Sequence, residues 1–305
     1  MKLEIKNIHK SFNDKEILHG ISFEVESGKA LGLLGRNGAG KTTTIRILMD
    51  VFHANSGEML LDGKPFNPAK TKIGYLPEER GLYPKRTVME QMVFLAKLRG
   101  MNTKEAKTSA KKWLERLEVS EYAGRKLETL SKGNQQKVQL ASTLVNEPDI
   151  VILDEPFSGL DPVNAQILKD VVNELIAENR IVIFSSHQMS YVEEFCDNIA
   201  ILNQGKIVLA GDLKEIRKEY GKNRLEISAN NMNLEQLEEY IKQNLSEVVK
   251  VSERKKTFLV LEMLEGKSNQ DVLKKLGESK IEVERYGIYQ PSLNDIFVAK
   301  VGEEV

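Results

Sequence analysis

The pattern of apolar and polar positions divides the chain into segments of different period. Near the start, residues 3–8 and 21–25 alternate apolar and polar side chains, which is typical of half-buried strands. Further on, residues 150–153 and 181–184 are continuously apolar, as expected of parallel strands buried on both faces. A helical pattern lies between them, at residues 167–176. This strand–helix–strand order predicts an α/β sheet that binds its ligand at the carboxyl ends of the strands.

A largely helical segment, about residues 85–145, interrupts this strand-rich pattern. Thr87 and Glu90 have the spacing of a capping box and precede an amphipathic helix. A second helix is predicted from Thr103 to Leu117, with Trp113 in the core and its lysines on a solvated face. We therefore expect a helical subdomain inserted into the α/β domain.

The tail has a pattern of its own. From about Arg224 the order of predicted elements is strand, helix, strand, strand, helix, strand, which indicates a small ferredoxin-like α+β domain. We predict one domain over residues 1–222 and an accessory domain over residues 223–305. We interpret the accessory domain as a spacer or dimer brace in preference to a ligand sensor.

A glycine-rich motif follows an early apolar run. Residues 35–42 fit the pattern G-x-x-x-x-G-K-[ST], after a predicted strand at residues 30–34 and before a helical pattern. Glycines let the backbone approach a ligand closely, and the N–H groups of the following helix attract anions. Lys41 can reach outer phosphates, and the Thr42 hydroxyl can hold Mg²⁺. The alternative is a glycine-rich turn without a ligand.

Polar side chains follow both later apolar runs. Asp154 and Glu155 come after residues 150–153, and His187 comes after residues 181–184. Asp154 can hold Mg²⁺ opposite Thr42, and Glu155 can orient or deprotonate a water that attacks a γ-phosphorus. His187 can hydrogen-bond that phosphate; alternatively it is a loop histidine satisfied by its neighbours.

A second anion-binding element is predicted at Ser131. This residue is a good helix N-cap, and the first turn of the following helix exposes N–H groups. One subunit does not need two such sites for one nucleotide. Two subunits arranged head to tail could each complete the other's site, so we expect a homodimer.

Composition narrows the class of protein. The 305 residues include 44 basic and 45 acidic side chains, so no general basic field favours a nucleic-acid partner. The one cysteine, Cys196, excludes an internal disulfide and is interpreted as a small buried side chain. No apolar run approaches the roughly 20 residues of a membrane helix, and no signal-peptide core is present. We expect a soluble, cytoplasmic chain that depends on another chain for any membrane span.

With these motifs in order, residues 1–215 resemble the ATPase subunit of an ATP-binding cassette (ABC) transporter. The resemblance implies a P-loop NTPase fold, ATP and Mg²⁺ as cofactors, and ATP hydrolysis as the activity. Phe12 matches the adenine-stacking aromatic, whereas the residues alone favour a hairpin aromatic that covers the sheet. The other matches are Walker A (Gly35, Asn37, Gly38, Ala39, Gly40, Lys41, Thr42 and Thr43), Walker B (Ile150 to Glu155), the D-loop ending at Asp161, the switch histidine His187, and the signature with Ser131 and Gly133 as γ-phosphate contacts.

The chain departs from the family pattern in two motifs. Lys132 and Asn134 stand in the signature where glycine and glutamine are usual, and Glu78 stands at the glutamine position of the Q-loop. A carboxylate can still face Mg²⁺. We hypothesise that Glu78 raises the affinity for the metal and keeps coupling to the membrane partner.

The signature variant and the tail resemble bacterial exporter ATPases of the sodium-extrusion type. The resemblance implies a separate integral membrane permease, a place at the cytoplasmic face of the membrane, and export, with sodium and drugs as alternative cargoes. Three other functions were weighed: a soluble cassette protein acting on ribosomes or DNA, a non-catalytic regulatory cassette, and an importer ATPase.

Overall fold

The structure is a computed structural model that describes residues 1–79, 81–186 and 188–302. Contacts divide the chain into two compact units, Met1–Leu213 and Lys214–Val305. The boundary predicted from the sequence, after residue 222, lies slightly further along and stays a prediction.

Two sheets form the first unit. Its strands are β1 (Lys2–Phe12), β2 (Lys15–Glu26), β3 (Ala30–Leu34), β4 (Ser56–Leu61), β5 (Lys64–Pro65), β6 (Ile73–Leu76), β7 (Ile150–Asp154), β8 (Ile181–Ser185), β9 (Asn198–Asn203) and β10 (Lys206–Asp212). One sheet is antiparallel, in the order β2-β1-β4-β5. The other has the order β10-β9-β3-β8-β7-β6 and is parallel except for the pairing of β10 with β9.

The helices of this unit are α1 (Lys41–Leu48), α2 (Val88–Leu98), α3 (Thr103–Arg116), α4 (Lys132–Leu144), α5 (Pro162–Ala177) and α6 (Met189–Phe195). The capping box at Thr87 and Glu90 begins α2, as predicted. Helices α2, α3 and α4 pack on one another and form the expected helical subdomain. Trp113 is buried within it, as predicted, and its indole N–H donates to Glu147.

Burial follows the hydrophobic pattern. Every residue of β3, β7 and β8 is buried, as the continuous apolar runs predict for strands covered on both faces. Strands β1 and β2 alternate buried and exposed positions, and their inward side chains join the main core beside β3. Cys196 is buried, as expected, and burial raises the pKa of its thiol.

The second unit contains α7 (Leu213–Tyr220), β11 (Arg224–Ala229), α8 (Leu234–Asn244), β12 (Val249–Arg254), β13 (Leu259–Met263), α9 (Asn269–Gly277), β14 (Val283–Ile288) and α10 (Leu293–Gly302). Its sheet is antiparallel, in the order β12-β13-β11-β14. Strands and helices from β11 to β14 follow the predicted order. The helix α10, over which the sequence predicted no element, ends the described part of this unit.

Candidate functional site

Four neighbouring parallel strands end at one edge of the main sheet. Moving across the sheet from β3 to β8, β7 and β6, the chain leaves each strand in the same direction. The glycine-rich loop follows β3, the segment at Ser186 follows β8, Glu155 follows β7, and the loop with Glu78 follows β6. This carboxyl-terminal edge, called the site edge below, is where parallel sheets bind ligands.

The glycine-rich loop winds tightly between β3 and α1. Gly38 and Gly40 have φ angles of 81° and 112°, in the left-handed region that favours glycine. A Cβ on Gly40 would lie 2.6 Å from a methyl group of Leu18, whereas the space around Gly38 is open to 4 Å. Gly40 is therefore required by packing, and Gly38 leaves exposed backbone that a ligand can approach.

The loop forms a cradle suited to phosphate. A concavity of about 720 Å³ is lined by Arg36, Asn37, Gly38, Ala39, Asn203 and Gln204. Gly40 is the N-cap of α1, and no side chain in the described part of the chain caps this helix start. Its first N–H groups and the helix dipole therefore remain available to an anion. Thr42, in the first turn, is exposed, and Thr43 is half-buried.

Lys41 is held in the same loop. Its ammonium donates to the carbonyl oxygens of Gly35 at 2.6 Å and of Arg36 at 3.4 Å. Burial lowers the pKa of Lys41, and the carboxylates of Asp154, Glu155 and Glu78 partly offset this effect. The side chain is therefore a cation held by backbone carbonyls along the loop that would hold phosphate.

Asp154 is buried at the end of β7. Burial raises the pKa of its carboxyl and Glu78 adds to this, whereas Ser185 and Lys41 act in the opposite direction. Tyr75 is a neighbour of Asp154 that the sequence did not indicate. Burial and the Asp154 carboxylate raise the pKa of Tyr75 to about 12. A buried carboxylate with raised pKa is one that a cation would stabilise.

Glu155 is the next residue and is also buried, with a left-handed φ of 49°. Its backbone N–H donates to the Ser185 carbonyl at 2.9 Å, and its Oε2 accepts from the Ser186 hydroxyl at 3.0 Å. The structure thus brings Lys41, Asp154 and Glu155 together at the site edge.

Glu78 lies in the exposed loop after β6. The Gln139 amide of α4 donates to the carbonyls of Pro77 and Glu79, at 3.3 and 3.2 Å, on either side of Glu78. The Thr143 hydroxyl of α4 also contacts the Tyr75 carbonyl, at 3.2 Å. The helix that begins at the signature is therefore bonded directly to the Glu78 loop, a link that sequence reasoning missed.

The oxygen donors fit a weakly ligated Mg²⁺. Among residues 1–79, 81–186 and 188–302, no three His, Cys, Asp or Glu side chains form a complete metal site. Mg²⁺ in phosphate sites takes one or two carboxylates and fills most of its remaining positions with phosphate and water. Thr42, Asp154 and Glu78 supply oxygens of that kind.

The signature residues and Asp161 lie at the starts of helices α4 and α5. Ser131 is the N-cap of α4, where its hydroxyl accepts from the Asn134 N–H at 3.3 Å. Gly133 lies beside Asn164 of α5, and Asp161 caps α5 by accepting from the N–H groups of Val163 and Asn164. Ser131 and Asp161 are both exposed.

Phe12 ends β1 and is 38% exposed. Its ring meets Phe52 edge-on at 5.0 Å, and the Lys10 ammonium lies 4.9 Å from its centroid. The described lining of the concavity does not include Phe12. The predicted His187 lies outside the described residues.

This arrangement defines a P-loop ATPase: a parallel sheet with a phosphate cradle after β3 and acidic residues after β7. Residues 18–158 match the family described as ABC transporter, and residues 211–301 match the C-terminal domain described as ATP-binding protein DrrA1-3-like. The chain belongs to the ABC transporter ATP-binding protein family and is the ATP-hydrolysing subunit of such a transporter. The predicted fold class and family are confirmed.

Relatives extend over the whole chain. It is 41% identical over 304 residues to the Uncharacterized ABC transporter ATP-binding protein YhaQ of Bacillus subtilis (strain 168), covering 98% of each. It is 33% identical over 213 residues to the Nod factor export ATP-binding protein I of Burkholderia lata, covering 68% of this chain and 70% of the relative. A solved ATP binding subunit of an ABC transporter superposes with a TM-score of 0.67 at 29% identity, covering 72% of this chain and 94% of that one.

Proposed function

We propose that this chain is the motor of an ABC exporter, in which two copies clasp two ATP molecules head to tail and drive a separate membrane permease. Each site would take its phosphate loop from one copy and its signature helix from the other. Closure on ATP supplies the stroke, and hydrolysis resets it.

One observation supports the homodimer: the start of the signature helix is exposed, and the described lining of the phosphate cradle does not include it. In the main sheet, β6 is separated from β3 by β8 and β7, roughly 14 Å at ordinary strand spacing. The signature helix α4 packs against β6. The exposed Ser131 at its start is proposed to meet a phosphate held by a second copy.

In the proposed reaction, the loop N–H groups and Lys41 bind the β- and γ-phosphates. Ser131 and Gly133 of the other copy complete the γ-phosphate site, and Phe12 stacks on the adenine. Glu155 accepts a proton from the attacking water, and His187 contacts the γ-phosphate. Asp161, at the start of α5, lies at the contact between copies.

Mg²⁺, held by Thr42, Asp154 and Glu78, would neutralise charge on the phosphates. The carboxylates of Asp154 and Glu78 lie close enough for Glu78 to raise the pKa of Asp154. Asp154 is buried near Glu78 and near the cationic Lys41, so a cation between them relieves like-charge repulsion. Glu78 therefore supports metal binding in addition to its place in the loop bonded to α4.

The permease is proposed to dock beside the Glu78 loop. A groove of about 470 Å³ is lined by Tyr83, Arg86, Glu90, Gln91 and Phe94. Tyr83 and Phe94 are 55% and 49% exposed, and Leu98, one turn beyond Phe94 on α2, is 67% exposed. Exposed apolar side chains grouped in this way mark an interaction surface, and a groove of this form takes an amphipathic helix. We assign this surface to a cytoplasmic segment of the permease.

Helix α2, which lines the groove, packs on α4, and α4 is bonded to the Glu78 loop. The Tyr83 N–H donates to the Gln91 side chain of α2 at 3.1 Å, and residues 77–79 are bonded to α4. Movement of α2 and α4 on nucleotide binding would therefore move the docking surface. Among the described residues, no helix combines the length and apolarity needed to cross a bilayer.

The name of the Nod factor export relative supports export. We place the chain at the cytoplasmic face of the membrane and retain residues 1–222 as the nucleotide-binding domain. Residues 223–305 are the accessory domain, a spacer or dimer brace.

The test is ATP-dependent association of Glu155→Gln. This variant should bind ATP, hydrolyse it at least about 100-fold more slowly, and sediment as a dimer in ATP. The double variant with Lys41→Ala should remain monomeric in ATP, because the nucleotide is no longer held. Near-normal turnover by Glu155→Gln would remove the base assignment, and a monomer in ATP, alone and with the permease, would remove the motor.

A further inference from the structure

A buried hydrogen bond joins the two central strands just beyond the end of their ladder. Strands β7 and β8 are paired as far as Asp154 and Ser185. Glu155 directly follows β7 and Ser186 directly follows β8; they are 6% and 2% exposed. The Ser186 hydroxyl donates to Glu155 Oε2 at 3.0 Å, and the Glu155 N–H donates to the Ser185 carbonyl at 2.9 Å. The base is thus attached to β8 through both its backbone and its side chain.

The direction of the hydroxyl proton follows from its second partner. The Ser186 oxygen also accepts the backbone N–H of Gln188 at 3.0 Å. An N–H group can only donate, so that bond occupies a lone pair of the serine. The single hydroxyl proton is left for the Glu155 carboxylate. A chain of bonds therefore runs from the backbone at residue 188 through Ser186 to Glu155.

Glu155 needs such a restraint because its backbone is strained. Its φ of 49° lies in the left-handed region, which a side chain beyond glycine rarely adopts without support. A glutamate side chain has several rotamers, and proton transfer requires one of them to be held within hydrogen-bond distance of the water.

We propose that Ser186 is a positioning residue for ATP hydrolysis, holding the Glu155 carboxylate in the orientation that accepts the proton of the attacking water. This inference rests on the proposed function, since it assumes that Glu155 is the base. It goes beyond that function by making β8 part of the catalytic geometry. The competing interpretation is that Ser186 only fixes the start of α6, through its bond from the Gln188 N–H.

The two interpretations differ in steady-state kinetics. Ser186→Ala should lower kcat about 10- to 100-fold, the range found for residues that orient a reactive group, with KM and the affinity for ATP within about twofold of wild type. Ser186→Thr retains a hydroxyl and should recover most of the rate. Ser186→Cys, a weak donor, should fall between Thr and Ala. The midpoint of thermal unfolding, measured for each variant, reports any loss of stability.

A double variant separates this inference from the base assignment. If Ser186 acts through Glu155, Ser186→Ala should not lower the residual turnover of Glu155→Gln any further. Equal fold-losses in both backgrounds, or a wild-type kcat for Ser186→Ala, would overturn the inference. A wild-type rate for Glu155→Gln alone would instead overturn the proposed function. If Ser186→Ala does not fold, the kcat values of Ser186→Thr and Ser186→Cys are compared instead. A higher kcat for Ser186→Thr supports the inference, and a higher kcat for Ser186→Cys contradicts it.

Discussion

Two aspartate–lysine pairs, one in each compact unit, show opposite electrostatics. At the site edge, burial raises the pKa of Asp154 and lowers that of Lys41. In the second unit, Asp295 is also partly buried, yet hydrogen bonds from Lys255, Ser292 and Tyr289 outweigh burial and lower its pKa to about 2. The Lys255 pKa is raised, because bonds to Glu253 and Asp295 outweigh its burial.

The difference follows from the balance between burial and the neighbouring groups of each carboxylate. Asp295 accepts from a lysine, a tyrosine and a serine that also begins α10, so its charge is satisfied within the unit. Ser185, Lys41 and Tyr75 also favour the ionised form of Asp154, but burial and the Glu78 carboxylate outweigh them and leave its pKa raised. A perturbed pKa in a concave site marks a place where ligand charges are expected. The pair in the second unit stabilises the fold.

Replacing each of the two lysines by alanine in turn is the strongest test of this comparison. Lys41→Ala should lower ATP turnover at least about 100-fold, because a phosphate contact is lost, while the free energy of unfolding stays level or rises. Lys255→Ala should leave turnover unchanged and lower the free energy of unfolding of its unit by about 1 kcal/mol. Turnover assays and denaturant unfolding measure both. Equal effects of the two variants on turnover would contradict the comparison.

Two glycines offer a matched pair. Gly38 and Gly266 have φ angles of 81° and 75°, and a Cβ on either would meet nothing within 4 Å. Gly38→Ala and Gly266→Ala should therefore lose similar stability, about 1 kcal/mol, from backbone strain alone.

Their effects on ATP binding should differ. Gly38→Ala should weaken ATP binding about 10-fold, because its methyl group lies where the phosphate approaches the backbone. Gly266→Ala should bind ATP as wild type does. Titration calorimetry with the non-hydrolysing Glu155→Gln background gives the affinities. Unchanged affinity of Gly38→Ala would contradict the cradle.

The smallest effect is expected from Asp295→Asn. A lowered pKa means that the ionised carboxylate is favoured in the folded state, so its stabilisation is complete above the unfolded pKa near 4. It is lost as the pH falls from about 4 to about 2. Discounted for partial exposure, the variant should lose about 1 kcal/mol at pH 7 and nothing near pH 2. Amide hydrogen exchange of β13 and α10 measures this difference, and a loss that is independent of pH would contradict it.

Sequence patterns predicted the features that depend on residues close together in the chain, namely helix caps and buried strands. The caps at Thr87 and Ser131 and the buried runs that become β7 and β8 follow from local periodicity and capping. Strands β9 and β10 were not predicted, and β1 extends to Phe12 through irregular pairings with β2 that alternation does not reveal.

The contacts that complete the site depend on register between distant segments. Ser186 reaches Glu155 because β7 and β8 pair with Asp154 opposite Ser185, 31 residues apart. Gln139 reaches the Glu78 loop because α4 packs on β6. Neither spacing is a recognisable motif, so the sequence indicated the reactive side chains and left out those that orient them.

The central claim is that the phosphate loop of one copy meets the signature helix of another. Asn37→Cys and Ser131→Cys, placed in separate, differently tagged Glu155→Gln chains, test it with a short thiol crosslinker, since the native Cys196 is buried. A head-to-tail dimer should give a crosslinked product that carries both tags, formed in the mixture with ATP and absent without it. A mixture with ATP that yields no two-tag dimer, while both thiols remain reactive, would contradict the account.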